Sequence, residues 1–329
     1  MVENLNLTPL DAFDNKVDVF SNNIYSHASN NEWICDPFIG FRLKKITRKI
    51  NNQIILKTNS MGIRASEIFL KEKYDTIFIG GSFVYGAFAP SENETIPSYY
   101  EKIIKSKVLN AGIGGHVLKQ HFSLFFNYLK SIKAKKLIFI FGFNDMGNCF
   151  NGKEYKNIKL DIFEKKINKV LENPIKQSFI VIFSQILNIL KLRKLVKNIF
   201  FKKKISNVIS SESYIDKYIN ELSNDLEEFN KMQLNKKIFF FIQPNLITSK
   251  KKLSNYEKIV INNRDENKKN FCKIFHQKLE NKIFRINNVY NLNNIFDHRN
   301  DTIFIDDAHI GDKGNLIVAN KIFDIVSKC

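Results

Sequence analysis

A chain of 329 residues with 44% hydrophobic and 26% charged residues and thirty Phe has the material for a large packed core, which excludes a disordered protein and a small disulfide-stapled one. The formal net charge of +18 invites nucleic acid or an anionic surface as a partner. Yet Lys, Asn, Ile and Phe are abundant throughout, as AT-rich coding produces, and no nucleic-acid-binding motif accompanies the charge, so nucleic acid is not the expected partner.

In chain order, Met1-Val2-Glu3-Asn4 lacks the basic start and apolar core of a signal peptide, and Cys35, Cys149, Cys272 and Cys329 have no CxxC or CxxH spacing. Four free thiols in a reducing cytoplasm are expected. Residues 1–70 read as an extension. Ile39–Ile46 and Gln53–Lys57 alternate apolar and polar residues around a polar Arg48–Asn52 turn, which predicts a β-hairpin. From Tyr74 the pattern changes to short apolar strands separated by helical stretches, predicting a parallel sheet covered by helices across residues 71–329. The predicted strands are Thr76–Gly80, Lys107–Asn110, Lys136–Phe141, Lys237–Ile242 and Lys282–Ile286.

Between the third and fourth of these lies a helical insertion at about 148–235, longer than an ordinary crossover. Its middle, 178–205, is apolar and then strongly basic, a pattern that suits a lid, a peripheral contact with the inner membrane face, a dimer contact or a packed helical hairpin. The longest apolar run, Phe179–Leu190, is interrupted by Ser184, Gln185 and Asn188 and is shorter than the roughly 20 residues that span a bilayer, so no transmembrane helix is expected. Gly314–Val326 predicts a closing helix with Leu316, Ala319, Ile322, Phe323 and Val326 on its apolar face.

Four short blocks carry the chemistry. Ile79-Gly80-Gly81-Ser82 brings a buried strand into a glycine pair, exposing Ser82 at a carboxyl end, where open α/β sheets place their ligands. Asn110-Ala111-Gly112-Ile113-Gly114-Gly115 and Phe141-Gly142-Phe143-Asn144-Asp145 follow later predicted strands, and Ile305-Asp306-Asp307-Ala308-His309 precedes the closing helix. Judged alone, each is an ordinary turn. A carboxylate three residues before a histidine is able to fold back onto Nδ1 and leave Nε2 for a serine proton, with Asp307 as the fallback for Asp306.

In this order and spacing the four blocks resemble the SGNH (GDSL-like) hydrolase superfamily. Gly81 stands where that family usually has Asp. Thr58–Arg64 and Phe240-Phe241-Ile242-Gln243-Pro244 look like its bacterial members associated with cell-surface polysaccharides. The resemblance implies a three-layer α/β/α sandwich with a flavodoxin-like sheet, Ser82 as nucleophile, His309 as general base, Asp306 as its orienter, and an oxyanion hole from Ser82, Gly115 (Gly114 if the register shifts by one) and Asn144. It implies hydrolysis of O-acyl esters, O-acetyl foremost, on a small molecule or glycan. An O-acetyltransferase with the same residues and a non-catalytic glycan-binding or assembly module, the latter encouraged by Gly81, are the rivals. No cofactor is required. His116 is placed either to touch substrate or to start a helix. His27, His121, His276 and His298 show no ligand spacing, so no metal is assigned.

Overall fold

The computed structural model describes residues 32–50, 53–65, 72–156, 212–232 and 234–329. Its centre is a five-stranded, wholly parallel sheet built from β5 (Lys73–Gly80), β6 (Val108–Gly112), β7 (Lys133–Phe141), β8 (Lys237–Ile242) and β9 (Val289–Asn291), in the order β6-β5-β7-β8-β9. Counted within the sheet alone this is the flavodoxin-like order 2-1-3-4-5, and its switch point falls between β5 and β7.

Side chains alternate across the sheet as a pleated strand requires. Ile77, Ile79, Leu137, Phe139, Ile238 and Phe240 enter one core. Phe78, Ile138, Ile140, Phe239 and Phe241 enter the other. The first core is covered by α3 (Leu118–Leu124), α4 (Phe143–Phe150), α5 (Glu212–Lys231) and α7 (Glu266–Ile283); the second by α1 (Ser82–Tyr85), α2 (Ile96–Ile104), α6 (Asn255–Asn262) and α8 (Asp312–Val326). The result is the expected three-layer α/β/α sandwich. Aromatic packing dominates the first layer, with Phe122 stacked on Phe229 at 4.5 Å and Phe139 on Phe240 at 5.1 Å between centroids. Each fully buried Phe contributes about 1.5–3 kcal/mol.

Several sequence expectations need correction. The last strand is not Lys282–Ile286: Ile283 ends α7, Asn288 turns the chain at positive φ, and Val289–Asn291 pairs with β8. The short apolar cluster Ile283, Phe284 and Ile286 reads as a strand by itself, but Ile283 continues the helical spacing of Phe275 and Leu279, and the helix prevailed because Leu279 and Ile283 complete the buried face begun by Phe271.

The N-terminal region forms two hairpins rather than one: β1 (Trp33–Asp36) with β2 (Gly40–Leu43), and β3 (Thr47–Ile50) with β4 (Gln53–Lys57). Asp36 causes the first turn by accepting the amides of Phe38 and Ile39, and Thr58 closes the second by accepting Ile46 N–H and donating to Lys44 O. Leu316 of α8 is exposed, while Val318, Ala319, Ile322 and Val326 are buried.

The segment 148–235 also divides differently. Its start belongs to α4, and α5 is the crossover helix to β8, burying Ile215, Tyr218, Ile219, Leu222, Leu226 and Phe229. The basic stretch 178–205 lies outside the described residues. Among those residues no helix is long and apolar enough to cross a membrane.

Candidate active site

Three blocks end β5, β6 and β7, and the strand order sets them side by side. β5 runs straight into α1, so Ser82 is the first helical residue, half-buried at the switch point. An amide in a helix's first turn has no acceptor within its own helix. The short α1 is held at its far end by Arg64, which donates to the carbonyls of Tyr85 (3.0 Å), Gly86 (2.6 Å) and Ser91 (3.3 Å) and pairs with Glu92 at 2.7 Å. Arg64 closes the Thr58–Arg64 segment, which the sequence marked without indicating a purpose. Its guanidinium fixes the helix that carries Ser82.

Asn144 lies in the first turn of α4, and its Nδ2 donates to His116 O at 2.9 Å. A side-chain amide has two N–H groups, so a second donor remains. A Cβ on Gly81 would come within 2.4 Å of that nitrogen. Absence of a side chain at 81 is therefore what lets Asn144 lie against the Gly81–Ser82 backbone. The adjacent Asp145 is fully buried and accepts the amides of Leu118 (3.0 Å) and Gly142 (3.1 Å), joining α3 to α4. Gly114 and Gly115 occupy the turn Ile113–His116; Gly115 adopts φ +79°, and Gly114 faces Ser82.

The fourth block reaches Ser82 from the opposite end of the chain. Asp306 folds back on itself: Oδ1 accepts the amides of Ala308 (2.9 Å) and His309 (2.8 Å), and Oδ2 accepts His309 Nδ1–H at 2.7 Å. His309 Nε2 is 2.7 Å from Ser82 Oγ. With Nδ1 protonated towards the carboxylate, Nε2 of the neutral ring is the acceptor of the serine hydroxyl. Asp307 turns away and pairs with Arg264 and Lys268 of the neighbouring helical region.

The loop is braced on every side. Tyr256 OH donates to Ile305 O (2.8 Å), Gln243 Nε2 to Ala308 O (3.0 Å), and Leu246 N–H to Asp307 O (2.8 Å). Glu257 accepts the amides of Ile303 and Phe304, both at 3.0 Å, and pairs with Lys251 at 2.7 Å; both side chains of that pair are fully buried.

Burial by itself disfavours the His309 cation, but the charge and hydrogen bond of Asp306, with a smaller pull from Asp307, outweigh it and hold the imidazole pKa above 6.5. Burial likewise opposes ionisation of Asp306, and His309 with the two loop amides overrides it, keeping this carboxyl well below its usual range. Both shifts favour an anionic carboxylate beside a basic imidazole.

His116 does not face substrate. Its ring is buried and donates from Nε2 to Phe41 O at 2.8 Å, which fastens the first hairpin to the β6–α3 turn. His276 is buried behind Gly142, accepts a hydrogen bond at Nε2 from Asn245 Nδ2 at 3.3 Å, and burial pushes its pKa down to about 4. Among the described residues no group of His, Cys, Asp and Glu is arranged to hold a metal, and all four cysteines are free.

No family model matches the sequence, and no curated protein matches it. In three dimensions the chain is similar to Axe2, an acetylxylan esterase from Geobacillus stearothermophilus, at 13% identity over 76% of this chain and 93% of that one, with a TM-score of 0.41. It is similar to the acetyl xylan esterase AlAXEase at 14% identity, 77% and 99% coverage and a TM-score of 0.42. LAE5, an alpha/beta hydrolase enzyme from the metagenome of Lake Arreo, Spain, is similar at 10% identity, 77% and 95% coverage and a TM-score of 0.41. The resemblance of this chain to the SGNH hydrolase superfamily lies in its four blocks, now gathered at one edge of the sheet.

Proposed function

We propose that the protein is a serine esterase that hydrolyses O-acyl esters, O-acetyl esters foremost, with a glycan as one carrier of the acyl group. The observation that carries this reading is the continuous hydrogen-bonded chain from Ser82 Oγ through His309 to Asp306, with the Asn144 amide beside the nucleophile. In the reaction His309 Nε2 removes the serine proton as Oγ attacks the carbonyl carbon, and Asp306 stabilises the imidazolium. The Ser82 amide, the Gly115 amide and Asn144 receive the oxyanion. One such pre-organised donor contributes about 2.7–4 kcal/mol to the transition state. His309 then protonates the departing alkoxide and activates the water that releases the acid.

Replacing that water by a sugar hydroxyl gives the O-acetyltransferase reading with the same residues. The non-catalytic reading drew on Gly81, and the close approach of Asn144 supplies another reason for that glycine. The test is turnover of short-chain aryl esters by the wild type and by Ser82→Ala. A loss of several orders of magnitude at unchanged folding is expected. Near-wild-type turnover by the alanine variant would remove Ser82 from the role.

A further inference from the structure

Trp33, the sole tryptophan of the chain, opens β1 in a half-buried position. The Phe41 ring packs edge-on against it with centroids 5.3 Å apart, and Phe41 in turn meets the His116 ring at 4.9 Å. The hairpin carrying Trp33 and Phe41 is tied to the segment after β6 at several points. His116 Nε2 donates to Phe41 O (2.8 Å), Gln120 Nε2 to Ile39 O (2.7 Å), Ser123 Oγ to Phe38 O (2.7 Å) and Tyr128 OH to the Asp36 carboxylate (2.6 Å).

This anchoring sets the indole beside the nucleophile. A Cβ built on Gly114 would lie 3.8 Å from Trp33 Cη2 and 3.9 Å from Ser82 Cβ. The indole edge and the serine thus flank one residue without a side chain, and a methyl-sized group fits between them at ordinary van der Waals distance.

Strand order decides which half of an ester meets Trp33. β6 and its turn lie on one flank of β5, and β7 and β8 on the other; the His309 loop is held from the β8 side through Gln243 and Leu246. A leaving alkoxide has to collect its proton from His309 Nε2, so the alcohol lies on that side, where the Phe88 ring is 5.1 Å from the imidazole. The acyl substituent is left with the β6 flank. We infer that Trp33 is the wall of the acyl side and restricts the site to short acyl groups, a specificity role that rests on the esterase reading above.

The experiment compares kcat/KM for p-nitrophenyl acetate and hexanoate in the wild type, Trp33→Ala and Trp33→Phe. The wild type should prefer acetate. In Trp33→Ala the hexanoate-to-acetate ratio should rise at least about tenfold, since added methylenes are discriminated by pocket size on this scale, and Trp33→Phe should fall between. Intrinsic fluorescence of the unmutated chain gives a readout free of mutation: reaction with ethyl and longer alkyl fluorophosphonates should change Trp33 emission, because the new substituent on Ser82 Oγ lies against the indole. An unchanged ratio together with unchanged emission, while esters are still turned over in a Ser82-dependent way, overturns the role of Trp33 alone. No Ser82-dependent turnover and no phosphonylation would overturn the esterase reading and this role with it.

Discussion

Asp306 and Asp307 are neighbours in the chain, yet the backbone between them turns one carboxylate onto its own loop and the other towards Arg264 and Lys268. Asp306→Asn should therefore lower kcat by as much as about 10⁴-fold through the wrong imidazole tautomer, whereas Asp307→Asn should act mainly on stability, by about 1–3 kcal/mol. The pH profile separates them further. The proposed reaction needs neutral His309, so kcat/KM should rise with pH through the His309 pKa, and because Asp306 raises that pKa from its ordinary value the acid limb should lie at higher pH than a free imidazole would place it. Removing the Asp306 charge should move the limb down, and Asp307→Asn should move it much less; equal shifts in the two variants would contradict the assignment.

Gly81 makes a second residue-scale case. Gly81→Asp introduces the residue usual in the resembling family, but its Cβ would meet Asn144 Nδ2 at 2.4 Å. The amide would swing away at little cost in stability, so Gly81→Asp should lose about 10²–10³-fold in kcat at nearly wild-type unfolding temperature. Unchanged kcat in this variant would show that Asn144 is not needed where it lies.

Among the elements, the loop 303–309 depends on a buried ion pair that makes no contact with Ser82 or His309. Glu257 is wholly enclosed, uses one oxygen for the loop amides and spends the other on Lys251 and the Ser254 amide. Glu257→Gln leaves the Lys251 charge uncompensated and should cost about 3–5 kcal/mol by denaturant unfolding; a loss below about 1 kcal/mol would mean that the pair does not brace the loop.

Elements differed in how far they were legible. β5, β7 and β8 announce themselves as continuous apolar runs because both faces of a parallel strand are buried. The Asp306–His309 turn was readable because its geometry is closed within four residues. Trp33, Arg64 and Glu257 were not, since each acquires its task through contacts with segments distant in sequence, and neither composition nor local spacing encodes those. The hairpin pairing was misread for a related reason: it hangs on Asp36 and Thr58 side chains accepting specific amides, and apolar alternation is silent about them.

At the scale of the whole molecule, the N-terminal region packs into the body built around the five-stranded sheet. Ile39 and Ile63 lie in its first core, and the hairpin's carbonyls are held by residues of the β6–α3 segment. The boundary at residue 70 drawn from the change in sequence pattern therefore separates patterns rather than packing units. What the fold accomplishes is convergence: β5, β6 and β7 deliver Ser82, the glycine turn and Asn144, while a loop 227 residues further along delivers the histidine. The most direct test of that convergence is reaction of the intact wild-type chain with a fluorophosphonate probe, followed by mass-spectrometric mapping of the adduct. A single adduct on Ser82, formed with loss of fluoride and abolished in His309→Ala, is the expected result; no adduct, or an adduct on another serine with Ser82 unmodified, would contradict the assignment of Ser82 as nucleophile.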